Sequence, residues 1–206
     1  MTYNFDPEFV DFIDTLPSID LSDLKAVKHS RKNSFQASQD IDTSSLEITD
    51  LEIPGPENSP PVSIRIYKPK ENRKNGPGLL YIHGGGFILG SIDGEHIGSA
   101  NIAMNLNIIV VSVEYRLAPE FPYPAAIEDC YAALQWFATN AQSMGVDKTH
   151  IGICGQSAGG GLSAGTALLA RDRKGPELCF QFLGIPEVDD RLNTHSMTQF
   201  VDTPVW

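Results

Sequence analysis

The sequence predicts an α/β protein in which helices cover both faces of a mostly parallel β-sheet, and three observations carry that prediction. Short, nearly continuous apolar runs stand at residues 78–82, 108–113 and 150–154. Strands apolar on both sides are what a parallel sheet buried under helices requires. Stretches with helical spacing stand between and after these runs, at 94–105, 124–140 and 157–171, so strand and helix alternate along the chain. The third observation is a period of two upstream. Leu46, Ile48 and Ile53, then Val62, Ile64 and Ile66, alternate with polar residues, predicting two strands joined by the proline-rich stretch 54–61.

The remaining elements follow in chain order. Asp6 and Pro7 form an N-cap and first helical position, and Phe5, Phe9, Phe12, Ile13 and Leu16 recur at helical spacing until Pro17. A second, basic-ended helix is expected over 22–32, then a polar linker over 33–45. Pro124 opens the helix that carries Ala126, Cys130, Ala133, Leu134 and Phe137 on one face. Residues 179–185 supply one more strand, and no helix is expected in the PEVDDRLNTHSMTQFVDTPVW that ends the chain. The expected organisation is therefore cap helices and linker over 1–45 and an α/β core over 46–206, incomplete before its last strands.

Composition narrows the function. The 206 residues suit one domain. The net charge of −11 would repel a polyphosphate, so no nucleic-acid partner is expected. The first sixty residues carry twelve acidic against four basic side chains, which marks them as compositionally distinct. No apolar run approaches the roughly 20 residues of a membrane helix, and the N-terminus lacks a basic start followed by an apolar stretch. No transmembrane segment and a cytoplasmic location are expected. Cys130, Cys154 and Cys179 are odd in number, form no CxxC and sit in or beside apolar segments, so all three are expected as buried free thiols.

The strongest chemical feature is Gly155-Gln156-Ser157-Ala158-Gly159, between an apolar strand and a helix rich in small residues. In that context G-x-S-x-G forms a sharp turn that exposes a nucleophilic serine, and Gly155 and Gly159 let strand and helix approach closely. The bland alternative is a tight turn before a helix. A second motif weighs against it: His83-Gly84-Gly85-Gly86-Phe87 follows another strand. Glycines there can turn backbone N–H groups inward, so Gly85, Gly86 and Ala158 are the expected oxyanion donors, with Gly84 shaping the bend. A phosphate-cradling role is disfavoured because neither G-x-G-x-x-G opening a helix nor G-K-[ST] is present. His83 is expected to fix the glycine loop by hydrogen bonding rather than to act as base.

HGGGF at 83–87, VEYRLAPEFPYPAAIEDCYAALQW at 113–136, GQSAGGG at 155–161 and IPEVDDR at 185–191 together resemble the hormone-sensitive-lipase (GDXG) branch of the α/β-hydrolases. The resemblance implies the α/β-hydrolase fold and a serine carboxylesterase acting on a small-molecule ester without cofactor or metal. It also implies Ser157 as nucleophile, the 115–120 segment as a loop brace, the N-terminal helices as part of a cap, and a homodimer where the full sheet is present. The branch usually has Asp where this chain has Gln156. Its triad Asp and His follow later strands and are expected beyond residue 206, so little turnover is expected of these residues alone. Asp189, Asp190 and His195 follow the same strand, Asp189 with His195 being a less favoured substitute pair, and His29, His96 and His150 have no evident partner. The alternative reading is a non-catalytic small-molecule-binding module resembling the gibberellin receptor.

Overall fold

The computed structural model describes residues 5–13, 15, 20, 23–33, 41–71 and 74–201. It divides into two compact units, Met1–Ser30 with Asp189–Trp206, and Arg31–Val188. The division falls after Ser30 and Val188, whereas the sequence pattern of helices and linker places a boundary after residue 45.

The smaller unit holds α1 (Pro7–Ile13) and most of α2 (Leu24–Asn33). Asp6 caps α1, its Oδ1 accepting from the Glu8 N–H at 3.0 Å. The start of α2 is set by Asp23, whose Oδ1 accepts from the Lys25 N–H at 2.8 Å. Ser22, Leu16 and residues 34–40 of the expected linker lie outside the described residues. One element contradicts the sequence reading: α6 (His195–Gln199) is a short helix where none was expected. Thr194 caps it by accepting from the Met197 N–H at 3.4 Å, a local cap that outweighs the missing apolar period.

The larger unit is built on one six-stranded sheet. Its strands are β1 (Leu46–Ile53), β2 (Val62–Pro69), β3 (Gly76–Ile82), β4 (Ile109–Glu114), β5 (Val146–Gln156) and β6 (Phe180–Gly184). They lie in the order β1-β2-β4-β3-β5-β6. The β1–β2 and β2–β4 pairs are antiparallel, and β3–β4, β3–β5 and β5–β6 are parallel. Three helices connect the parallel strands: α3 (His96–Leu106), α4 (Ala125–Met144) and α5 (Ala158–Asp172).

Alternate residues of each central strand serve opposite faces. Leu80 and Ile82 of β3 join Val111, Ile153, Leu134 and Phe137 under α4 and α5. Leu79 and Tyr81 join Val110, Ala100 and Ala103 under α3. Each large aliphatic side chain so buried contributes about 1.5–3 kcal/mol. Strand β5 starts four residues before the apolar run, because Gly76 pairs with Val146 ahead of the register shift that precedes Gly78. α4 ends where Gly145 takes φ 87° and its N–H reaches the Ala141 and Gln142 carbonyls. No helix among the described residues is long and apolar enough to cross a membrane.

Topology places the site. Adjacent strands β3 and β5 send their following segments to opposite faces, toward α3 and α5. A crevice therefore opens beyond their carboxyl ends, where α/β sheets bind ligands. Ile82 pairs with Gly155 there, so the two glycine motifs emerge side by side.

Candidate active site

Ser157 occupies the turn between β5 and α5 with φ 55° and ψ −121°. A non-glycine residue held in such a region carries roughly 1–3 kcal/mol of strain, which the surroundings must impose. Here they do. The Ser157 N–H donates to the Gly184 carbonyl at 2.8 Å, and the Ser157 carbonyl accepts from Gly161 at 3.0 Å and Glu187 at 3.2 Å. A Cβ on Gly155 would lie 2.4 Å from the Gly159 oxygen. Only glycine admits this approach of strand and helix.

The second loop follows β3. Gly85 and Gly86 take φ 124° and 58°. The Gly85 carbonyl accepts from Ile88 and Leu89 at 3.1 and 2.8 Å, which curls the loop. Neither the Gly85 nor the Gly86 N–H donates to another described residue, and the Ala158 N–H opens α5 without an intrahelical acceptor. Gly84 lies against the turn: a Cβ there would sit 2.9 Å from the Gln156 oxygen and 3.7 Å from the Ser157 Cβ. The two loops thus bring a hydroxyl and three unspent N–H groups to one end of the sheet, an arrangement able to hold an oxyanion.

His83 is buried at 1% exposure, with Nδ1 donating to the Gly84 carbonyl at 2.8 Å. Burial pushes its pKa down to about 4. Its ring stacks on Tyr115 at 4.1 Å, and the Tyr115 hydroxyl donates to the His83 carbonyl at 2.9 Å. Arg116 is paired with the fully buried Asp129 through Nη2–Oδ1 at 2.8 Å, and its own N–H donates to Oδ2 at 2.9 Å. The 115–120 segment is therefore a brace, as the sequence suggested.

Arg31, which sequence reasoning passed over, closes the brace from the other side. Its Nε donates to the Ile88 carbonyl at 2.7 Å and its Nη2 to the Ala118 carbonyl at 2.6 Å. Its guanidinium also pairs with Glu120 at 3.0 Å. The only sequence signal was a basic residue ending a helix.

A second residue was also missed. The Ser157 Oγ donates to Glu187 Oε1 at 2.6 Å, the short distance of a hydroxyl bonded to a charged acceptor. Ser157 and Glu187 follow the ends of paired strands, since Gln156 lies opposite Gly184. Beside them is a cleft of about 390 Å3 lined by Phe87, Phe121, Tyr123, Ile127, Leu162 and Glu187, among others. A larger groove, about 800 Å3, runs along α5 and residues 174–178 and contains none of these groups.

The other candidates resolve differently. Asp189 accepts from Arg191 at 2.7 Å through both Nε and Nη2, and those bonds hold its pKa low. No hydrogen bond joins Asp189 to His195 among the described residues. His96 and His150, expected to lack partners, have them: His96 Nδ1 bonds the Tyr67 hydroxyl at 3.1 Å, and His150 Nδ1 pairs with Asp147 at 3.0 Å. Cys130 and Cys154 are buried, but Cys179 is exposed, a correction explained by its place just before the edge strand β6.

A strained serine between strand and helix, facing a glycine loop with free N–H groups, defines the serine-hydrolase class of α/β proteins. The sequence pattern of a family described as alpha/beta hydrolase fold matches residues 79–206, and the chain belongs to that family. Carboxylesterase NlhH of Mycobacterium tuberculosis is 45% identical over 144 residues, covering 70% of this chain and 45% of the relative. An arylesterase of Saccharolobus solfataricus is 40% identical over 155 residues, covering 75% and 47%. Among solved structures, a bacterial heroin esterase matches with TM-score 0.88 and 41% identity, covering 98% of this chain and 64% of that one. A thermostable esterase from Pseudomonas putida matches with TM-score 0.80 and 30% identity, covering 93% and 61%. The chain spans about half the length of the curated relatives it matches. These relatives agree with the hormone-sensitive-lipase branch suggested by the motifs.

Proposed function

We propose that the protein hydrolyses carboxylic esters through an acyl-serine intermediate at Ser157. The observation that carries this reading is the backbone of Ser157, held at φ 55° by bonds from Gly184, Gly161 and Glu187 so that its hydroxyl stands free of the helix. The names of the relatives, carboxylesterase and arylesterase, support the same chemistry. In this reading the ester's apolar part enters the cleft beside Phe87 and Leu162, and the Ser157 Oγ attacks the carbonyl carbon. The N–H groups of Gly85, Gly86 and Ala158 receive the resulting oxyanion. Collapse expels the alcohol, and water then releases the acid.

The proton from Ser157 passes in this proposal to a histidine outside the 206 residues. Its support is that the chain spans about half of its relatives and that the resembled branch carries its base after later strands. These residues alone are then expected to turn over slowly, with roughly 10³–10⁴ over water from oxyanion binding. The cytoplasmic setting expected from the cysteine pattern belongs to the same proposal.

Treatment with p-nitrophenyl acetate followed by intact-mass and peptide analysis tests the reading. One acetyl group on Ser157, absent in Ser157→Ala, is the expected result. Unlabelled Ser157, or equal labelling of the variant, would overturn it.

A further inference from the structure

We infer that Glu187 makes the cleft selective for esters that carry a permanent or protonated ammonium close to the ester carbonyl. This inference rests on the esterase reading for the identity of the attacked bond, but the cation site itself does not.

Glu187 is held firmly for a loop residue. Its N–H donates to the Ser157 carbonyl, and a Cβ on Gly161 would lie 2.2 Å from the Glu187 oxygen. The loop therefore lies directly on the first turn of α5. From that backbone the carboxylate reaches Ser157, with Oε1 at 2.6 Å from Oγ. It is the sole ionisable acid or base among the cleft residues Tyr123 aside; the others are Phe87, Ala118, Phe121, Ala126, Ile127, Gly161 and Leu162. One carboxylate in an apolar, aromatic wall favours a cation over a neutral or anionic group. The aromatic side chains of Phe87 and Tyr123 add to that preference. Arg116 stands 5.6 Å from the Phe121 ring centroid, but Asp129 neutralises it.

The geometry also limits where the cation sits. A reacting carbonyl carbon must come within about 3–3.5 Å of Oγ. Glu187 Oε1 lies 2.6 Å from Oγ, so a cation paired with this carboxylate sits close to the attacked carbonyl. When Ser157 gives up its proton, Oε1 also loses its donor, and a substrate cation compensates the carboxylate at that moment. Anionic esters meet the opposite effect, strengthened by the chain's net charge of −11.

The test uses an isosteric pair, betaine ethyl ester and ethyl 3,3-dimethylbutanoate, which differ only in a quaternary nitrogen replacing a quaternary carbon. Both are titrated by NMR into the Ser157→Ala chain, so hydrolysis does not intervene. Binding of the betaine ester about ten-fold tighter is expected, with the ratio falling to near one in Ser157→Ala/Glu187→Gln. A ratio near one in Ser157→Ala, or a ratio unchanged by Glu187→Gln in a chain with unaltered circular dichroism, would overturn the inference. Acylation of Ser157 by p-nitrophenyl acetate is read separately. Acylation without cation preference sinks the inference and leaves the esterase reading standing; cation preference without acylation does the reverse.

Discussion

The α-carbon of Gly159 faces the carbonyl oxygen of Ile82 so closely that a Cβ built on it would lie 2.1 Å away, with the His83 oxygen at 2.5 Å. Both obstacles are backbone: Ile82 ends β3, and His83 opens the glycine loop that follows it. The turn carrying Ser157 and the loop expected to hold the oxyanion are therefore one packing unit, and their separation is set by the missing side chain of Gly159.

Gly159→Ala should accordingly damage the site more than a surface Gly→Ala change in a helix, which is usually neutral or stabilising. We expect the variant either to unfold at lower denaturant or to fold with acylation of Ser157 by p-nitrophenyl acetate slowed at least ten-fold. Urea melts and stopped-flow acylation on the same samples measure both. Unchanged stability together with an unchanged acylation rate would contradict the packing argument.

Arg31 leads to a prediction of a different kind. Its guanidinium spans the Ile88 and Ala118 carbonyls and the Glu120 carboxylate, tying the loop after Gly86 to the brace. Lysine presents one ammonium and cannot span three acceptors in a planar fork. Arg31→Ala and Arg31→Lys should therefore slow acylation to similar extents. Recovery of the rate by lysine would reduce Arg31 to a charge.

Much of this arrangement was legible in the sequence, and the reasons are local. Gly155 and Gly159 flank Ser157 at the spacing that a strand–turn–helix junction demands, and both prove sterically obligatory. The apolar runs gave the central strands because both their faces are buried. What stayed hidden depends on contacts between distant segments. Glu187 reads as one acid in PEVDD, and only the pairing of β5 with β6 shows that it follows a strand end beside Ser157. The polar start of β5 at Asp147, Lys148 and Thr149 carries no apolar period, because that extension leaves the core. Arg31 was invisible for the same reason, since its acceptors lie 57 and 87 residues away.

The Arg116–Asp129 pair predicts an asymmetry. Asp129 is fully buried, whereas the Arg116 side chain retains 19% exposure. Removing the arginine strands a carboxylate inside the protein, which costs about 3–5 kcal/mol for a buried pair. Removing the charge with Asp129→Asn leaves a guanidinium able to reach water. Arg116→Met should therefore lower the unfolding free energy more than Asp129→Asn in urea titrations at pH 7. The reverse order would show that the guanidinium is the group that depends on the pair.

The loop histidine sets a pH dependence whose sign follows from its burial. In the unfolded chain His83 titrates near 6.5, and in the folded protein burial lowers this to about 4. Above pH 6.5 both states hold a neutral ring, so the group contributes no slope. As pH falls from 6.5 toward 4 the unfolded chain binds a proton that the folded one refuses, and stability drops by about 3 kcal/mol. Below about pH 4 both states bind it and the slope ends. His83→Gln removes the titration while keeping an amide able to donate to the Gly84 carbonyl. Unfolding free energies measured between pH 7 and pH 4 should fall more steeply for the parent than for the variant, by that amount across the window. Equal slopes would mean that His83 opens to water and takes up its proton in the folded state.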